Sequence, residues 1–417
     1  SDDQKKDVLS VYVDEKGKPY RTAGKIDYVS CWYFKASQYI QNTNVRVAFV
    51  STNSITQGEQ VASVWKPLFD RFGIHIDFAH RTFRWDSEAN LMAHVHCVIV
   101  GFSVAALDKP KRIFDGDSSV IANGINAYLI DAPNVFIESR STSLNDVPPM
   151  VYGNKPTDGG GFFLTPEERL EVLKRDHYVE KYIKRIYGAA EYINNKERYC
   201  LWLVDELPSD IRKSAFIRER IGIVKQFRES SPKEATRKSA ETPTLFQEIR
   251  HPKTGKYIIV PRHSSENRQY IPLGFVSCDI IVNDAVQMIP NATLYHFGVL
   301  TSSVHMAWMR TVCGRLKSDY RYSKDVVYNN FPWPELSDAA QDEISKTAQG
   351  ILDARKLFPD SSLADLYDEL SMPPDLRKAH QANDRAVLKA YGLSEKTSES
   401  EIVAELIRRY LALVERV

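Results

Sequence analysis

The sequence predicts an α/β region, followed by a mixed α+β region and a closing helical segment. Three observations predict it. The first 103 residues alternate helix-like and strand-like apolar patterns. The middle of the chain mixes short strands with a basic helix. After Pro334 the apolar spacing is helical to the end.

At 417 residues the chain is long enough for two or three domains, and its 43% hydrophobic content supports a large core. No apolar run approaches the ~20 residues that a membrane span needs, and no secretory signal opens the chain. No membrane partner is therefore expected. The five cysteines, Cys31, Cys97, Cys200, Cys278 and Cys313, are scattered and show no zinc spacing. They read as free thiols in a reducing cytoplasm. The net charge of +1 hides an asymmetry. From Arg212 to Tyr270 there are 14 Lys/Arg against 6 Asp/Glu, and from Glu335 onward 11 against 16. A basic middle before an acidic tail points to a polyanion partner for the middle. The chain opens on "SDDQKKD" without Met, as a processed N-terminus or the inside of a longer protein would.

Taken in order, "KIDYVSCWYFKASQYIQ" has helical spacing, and "VRVAFVS" reads as a strand buried on both faces. "EQVASVWKPLFDRF" is helical again, and "IHIDFAHRTFRW" and "HVHCVIVGFS" are two strands close enough to pair. From Val104 to Gly161 the chain reads as irregular. "LTPEERLEVLKRDHYVEKYIKRIYG" then opens with helix-start chemistry. Thr165 caps, Pro166 takes the first helical position, and Glu167 and Glu168 suit the positive end. "ERYCLWLV" reads as a strand. The stretch from Pro208 to Ala240 reads as a basic helix running into a mobile polar segment. "KYIIVPRHSSENRQYIPLGFVSCDIIVND" supplies two or three strands. "GVLTSSVHMAWMRTVCG" places Leu300, Val304, Trp308 and Val312 on one helical face.

On residues alone, no complete active site is present. "GGG" at 159–161 follows no strand and reads as a turn. "DVPPM" superficially resembles the Asp-Pro-Pro-Tyr of amino-methyltransferases. Aligned on Pro148 and Pro149, it has Val147 where an acid or amide is required and Met150 where an aromatic is required, so it reads as a loop. His94 and His96 alternate on a strand without a third ligand nearby. "RTFRW" clusters Phe83, Trp85 and two arginines at a strand end, either as core and rim or as a platform for a nucleobase. "VPRHSSENRQY" gathers Arg262, His263, Ser264, Asn267 and Arg268, either as an ordinary polar turn or as donors for phosphates. In "GRLKSDYRYS", Lys317 and Asp319 are two apart. On an extended segment they would share a face, as a surface ion pair or as a pair reading one base pair.

Several long stretches together resemble the MmeI-like enzymes, which are single-chain type IIL restriction–modification proteins. They are "KIDYVSCWYFKA", "VAFVSTNSITQGEQV", "AHRTFRW", "LFQEIRHPKTGKYIIVPRHSSENRQYIPLGF", "LYHFGVLTSSVHMAWMRTVCGRLKSDYRYS" and "VYNNFPWPE". They follow the family's order and spacing over nearly the whole chain. The resemblance implies three parts. Residues 1–103 are the C-terminal half of a class I adenine-N6 methyltransferase domain, a partial α/β sheet. Residues 104–334 are a mixed α+β target recognition domain, and 335–417 a C-terminal helical segment.

In this family the S-adenosylmethionine glycine loop and the Asn-Pro-Pro-Phe motif precede the matched region, and neither occurs here. The resemblance therefore implies that S-adenosylmethionine serves the parent protein. This chain alone binds none, is inactive, holds no catalytic residue and no metal, and partners a missing N-terminal part of the same polypeptide and double-stranded DNA. Phe83, with Trp85 second, is implied to stack the flipped target base. The positions matching Lys317 and Asp319 act together on the base pair just beyond the methylated adenine. The position matching Arg321, with one near Ala285, reads the pair before it. Arg262, His263, Ser264, Asn267, Arg268, Arg310 and Arg315 are expected on the DNA backbone. The alternatives are a specificity or scaffolding module for a separate methyltransferase subunit, and part of an RNA base methyltransferase.

Overall fold

The computed structural model describes residues 1–86, 94–105, 109–316 and 318–416. Two units share the chain, and neither is continuous in sequence. The first holds Ser1–Asp146, Val304–Glu335 and Tyr391–Val417, and the second Val147–Ser303 and Leu336–Ala390.

The first unit opens with α1 (Asp2–Val11), started by a Ser1–Gln4 capping box. Next come α2 (Ser30–Tyr39), β1 (Val47–Thr52), α3 (Gly58–Phe72), β2 (His75–Asp86) and β3 (His94–Ser103), in the order the periodicities predict. Helix α3 stops at Gly73, which takes the left-handed φ of 60° that glycine allows. β1 and β2 both run antiparallel to β3. The core lies where α2 and α3 meet this sheet. The Tyr33 ring contacts Phe49, Trp65 and Phe102 at centroid distances of 5.2, 5.3 and 5.7 Å. Two polar tips reach partners there: the Tyr33 hydroxyl bonds Ser51 Oγ at 2.9 Å, and Trp65 Nε1 donates to the Ile55 carbonyl at 2.8 Å.

Two expectations change here. The region after Val104 is not irregular throughout. β4 (Lys111–Asp115) and β5 (Ser118–Ala122) form a hairpin that extends the sheet to the order β1-β3-β2-β4-β5. Asp115 pairs with Ser118 across a two-residue Gly116–Asp117 turn, with Gly116 at φ 56°. β1, expected to be buried on both faces, lies at the sheet edge among the described residues, paired there with β3. Phe49 faces the helices, while Ala48 and Val50 face outward and Val50 is 55% exposed. On that outer face a shallow cavity of about 440 Å3 is lined by Ala48, Phe78, His80, Arg112 and Phe114.

The second unit carries two small sheets. One takes β6 (Val151–Tyr152), β10 (Lys256–Pro261), β12 (Gly274–Ser277) and β14 (Val286–Pro290), ordered β12-β10-β14-β6. The other takes β7 (Phe163–Leu164), β8 (Ile183–Tyr187), β9 (Tyr199–Leu201) and β13 (Ile281–Val282), ordered β13-β8-β9-β7. β11 (His263–Ser264) follows β10 directly. Around them lie α4 (Pro166–Arg175), α5 (Ala189–Ile193), α6 (Pro208–Lys213), α7 (Ala215–Glu229), α8 (Glu234–Lys238) and α9 (Leu294–Leu300). Helix α4 has the predicted start, a Thr165–Glu168 capping box with Pro166 inside it. It ends at Arg175 rather than continuing. Asp176 caps a 3-10 turn through the Tyr178 amide at 3.1 Å, and Ile183–Tyr187 is taken by the sheet.

The polar stretch after α7 is ordered, contrary to its mobile reading. Arg237 ties back to the Ser231 and Pro232 carbonyls, and one buried side chain on α7 gathers the rest. Arg228 is fully buried and donates to five carbonyls: Thr157 at 2.9 Å, Ser239 at 2.9 Å, Thr242 at 3.1 Å, Pro156 at 2.9 Å and Leu245 at 2.7 Å.

The last third follows as α10 (Ser303–Val312), β15 (Gly314–Leu316), β16 (Asp319–Arg321), α11 (Asp338–Lys356), α12 (Leu363–Leu366), α13 (Pro374–Ala390) and α14 (Glu399–Val414). Leu300, Val304, Trp308 and Val312 are all buried, but they do not share one helix. The chain breaks at Thr301–Ser302, where Ser302 Oγ bonds the Val299 carbonyl at 2.7 Å and competes with the helix ladder. In the second unit, Gly298 of α9 lets α11 and α13 approach closely. A Cβ there would lie 2.7 Å from Ile344 and 3.0 Å from Asn383. Asn383 Nδ2 donates to the Gly298 carbonyl at 2.8 Å. In the first unit, α14 rests on α10 through Trp308 and Tyr410, 5.9 Å apart.

Candidate nucleic-acid interface

Two surfaces of the first unit carry Phe83 and Trp85, and Asp319 and Arg321. One is the far end of β2. The register of β2 on β3 shifts between His80 and Phe83, which leaves Arg81 and Thr82 as an irregularity. Asn53 Nδ2 reaches Thr82 Oγ1 at 3.4 Å, and Arg81 pairs with Asp115 at 3.3 Å. Beyond it, Phe83 and Trp85 alternate with Arg84 on one side of the strand, their rings 6.3 Å apart at 54°. Trp85 is 56% exposed and Phe83 is half-buried. The protein thus builds an aromatic shelf with one ring in water and one ring supporting it.

The other surface is the β15–β16 hairpin. Its register pairs Gly314 with Arg321, Arg315 with Tyr320, and Leu316 with Asp319. Strand β15 ends at Leu316 and β16 starts at Asp319. The extended segment expected from 317 to 319 includes Lys317, which lies outside the described residues. Alternation does the sorting. Asp319 and Arg321 are exposed, while Tyr320 and Tyr322 are 5% and 2% exposed. Arg315 closes the inner side, with its guanidinium 4.3 Å from the Tyr320 ring centre and Nη1 donating to the Ser318 carbonyl at 2.9 Å.

The hairpin is fastened at its base. Tyr322 bonds His305 Nε2 of α10 at 3.0 Å, and burial pushes the His305 pKa down to about 3, so the imidazole is neutral. Gly314 touches the start of α3, where Gly58 sits at φ 56°. A Cβ on Gly58 would lie 2.9 Å from the Gly314 Cα. Only glycine meets both demands, a left-handed backbone and a neighbouring backbone in the side-chain space. Gly58, Gly314, Tyr320 and Tyr322 escape a search for chemical groups. The alternation of polar and aromatic residues in "SDYRYS" is the signal that finds the tyrosines.

Of the backbone-contact candidates, Arg310 makes a fork to Glu399 at 2.9 and 2.7 Å, which ties α10 to α14. In the second unit, Arg262 Nη1 donates to the Asp284 carbonyl at 2.9 Å, its amide to the Ala285 carbonyl at 3.2 Å, and its plane lies 5.0 Å from the Tyr152 ring. Arg262 thus buttresses the turn that carries Ala285, a turn also held by the Ala285 amide on Asn283 Oδ1 at 3.0 Å. The neighbouring loop exposes Asn267, keeps His263 and Arg268 half-buried, and buries Ser264. Arg268 Nη1 lies 3.5 Å from Ser264 Oγ. The basic middle is largely engaged as well: Arg220 pairs with Glu168 at 3.1 Å and Lys238 with Glu234 at 2.9 Å.

Among the described residues no strand of the first unit runs into a glycine-rich loop, and β1 leads instead into the 3-10 turn Asn53–Thr56. Among the described residues no cluster of His, Cys, Asp and Glu could hold a metal ion, and no helix is long and apolar enough to cross a membrane.

An α/β unit here carries an aromatic shelf and a hairpin that turns an acid and a base outward. Three family models match this chain. The MmeI DNA-methyltransferase domain matches residues 1–115, the MmeI target recognition domain 131–335, and the MmeI C-terminal domain 336–417. The chain belongs to the MmeI family. It is 39% identical over 414 residues to DNA methyltransferase A of Bacillus subtilis (strain 168), covering 99% of this chain and 46% of that protein. Its structure matches that of the type IIL restriction–modification enzyme MmeI in complex with DNA, with a TM-score of 0.92 and 44% identity over 100% of this chain and 55% of that one. The chain spans about half the length of these relatives.

Proposed function

We propose that this chain is the DNA-reading part of a site-specific adenine-N6 DNA methyltransferase of the type IIL restriction–modification kind. The carrying observation is the β15–β16 hairpin, which turns Asp319 and Arg321 outward while Tyr320 and Tyr322 hold it from within. The MmeI structure, which holds DNA, supports double-stranded DNA as the partner.

In this reading Lys317 takes a guanine and Asp319 its cytosine in the pair after the target adenine. An ammonium suits the guanine O6 and N7 acceptors, and a carboxylate suits the cytosine N4 donor. Arg321 and Ala285 each contribute to the pair before the adenine. Phe83 stacks the flipped adenine, with Trp85 as the second candidate for that role. His263, Ser264, Asn267 and Arg268 position the duplex. Arg262, Arg310 and Arg315 act on it mainly through the segments they brace. The parts are proposed at 1–103, 104–334 and 335–417, with the β4–β5 hairpin of the second part adding to the sheet of the first, and with the methyl donor, S-adenosylmethionine, held by the rest of the polypeptide. The cytoplasm is the proposed compartment, which suits five free cysteines.

The test is to map methylated sites in cells expressing the full-length polypeptide or its Lys317→Glu, Asp319→Arg double variant. The site should end adenine-guanine in the first and adenine-cytosine in the second, with ~1–3 kcal/mol at stake per good contact. An unchanged last base, or a wild-type site without that guanine, rejects the assignment. Binding to RNA in preference to duplex DNA rejects the substrate class.

A further inference from the structure

The bulge in β2 decides which way Phe83 points. His80 is opposite Ile99 and Phe83 is opposite Cys97, so Arg81 and Thr82 together stand against Val98 alone. Ile99 and Cys97 are two apart on β3 and share a face, and the residues directly opposite them share it too. It is the outer face of the sheet, where Val50 and Thr52 of β1 oppose the same two residues. Phe83 therefore joins Phe78 and His80 on that face, although three positions, an odd step, separate it from His80. In a regular strand Thr82 and Arg84 would stand there, and both rings would turn toward the helices. A slip of one residue reverses every side chain beyond it.

The extra residue is held from both sides. Arg81 Nε donates to the Leu129 carbonyl at 3.3 Å, besides the pair with Asp115. On the other side, Thr82 Oγ1 accepts from Asn53 Nδ2, and Asn53 is buried. Asn53 opens the 3-10 turn that follows β1, where its carbonyl accepts from Thr56 Oγ1 at 2.8 Å. The end of one strand thus fixes the bulge of another. Bulges beside active sites re-aim side chains, and this one is tied in place rather than left slack.

We propose that Asn53 and Thr82 are positioning residues for the target base. Their bond locks the extra residue of β2 and so keeps the Phe83 ring on the outer face, where the flipped adenine stacks on it. The inference rests on the role given to Phe83 above and extends it to two residues that carry no ring.

The test measures methylation by the full-length polypeptide on a duplex carrying the mapped site. Thr82→Val keeps the shape of the side chain and removes the acceptor. It should lower kcat about fivefold, the equivalent of ~1 kcal/mol for one hydrogen bond, and leave KM and site-specific binding within about twofold. Thr82→Ser, which keeps the hydroxyl, should restore most of kcat. In a Phe83→Ala background, Thr82→Val should lower kcat no further, because its effect passes through that ring. An unchanged kcat in Thr82→Val, a loss that Thr82→Ser does not restore, or losses that add in the double variant overturn the proposal and leave the role of Phe83 standing. A Phe83→Ala protein that methylates as the wild type does overturns that role and the proposal with it.

Discussion

Arg228 counts among the charges that pointed to a polyanion, yet it never meets one. Its guanidinium is enclosed by five carbonyl groups, and burial lowers its pKa. A cation can be buried when every donor is satisfied, and here one side chain fixes two loops that have no sheet to hold them. Arg228→Met should cost about 3 kcal/mol or more, because each carbonyl left dry costs roughly 1–3 kcal/mol. Denaturant midpoints of the two proteins measure this. A loss under about 1 kcal/mol would mean that water replaces the guanidinium. Sequence counts charges but does not show which of them are spent inside the protein. The same limit hid the Arg310–Glu399 fork.

At the scale of elements, the repeat of apolar residues located α2, α3, β2, β3 and the C-terminal helices, because each buries one clear face. It failed where a local polar contact outweighed the pattern, as at Asp176 and Ser302. It also failed on the exposed edge strand β5, whose Val120 and Ile121 are 57% and 63% exposed. The reading hairpin was legible in its charged residues and not in what positions it. The contact between Gly58 and Gly314 joins segments more than two hundred residues apart in sequence, and one sequence does not display such a meeting. Gly58→Ala should cost roughly 1–3 kcal/mol from the left-handed backbone. Because the obstacle is backbone, it should also push the hairpin away from α3. The expected outcome is a lowered melting temperature together with a loss of site preference larger than the loss of non-specific DNA binding. Unchanged site preference would detach the contact from reading.

Across the whole molecule, each unit keeps a neutral histidine in its interior. His305 lies in the first, its pKa pushed down to about 3, and His380 in the second, its pKa well below the ordinary value, both chiefly through burial. His380 bonds the Tyr367 hydroxyl at 2.8 Å and stacks on Tyr270 at 4.1 Å. An unfolded histidine titrates near ~6.5. Below that pH the unfolded chain takes up a proton that the folded chain refuses, so stability falls as pH drops from about 6.5 toward 3. The slope approaches ~1.4 kcal/mol per pH unit for each histidine. Melts between about pH 6.5 and 5, above most carboxylate titrations, should show this decline, and His305→Gln should reduce it. A flat profile would mean that the imidazoles are protonated in the folded protein.

In sequence, the pieces of the first unit (Ser1–Asp146, Val304–Glu335 and Tyr391–Val417) alternate with those of the second. This imposes a schedule on synthesis. Tyr33 and Tyr410 belong to the same unit, but at ordinary translation rates Tyr410 is made roughly 20–80 s after Tyr33. For that interval the sheet leaves the ribosome without the helix that rests on Trp308, while the second unit receives most of its own residues. A nascent chain stalled at Ala390 would thus hold a second unit with all its segments beside a first unit that is still unfinished.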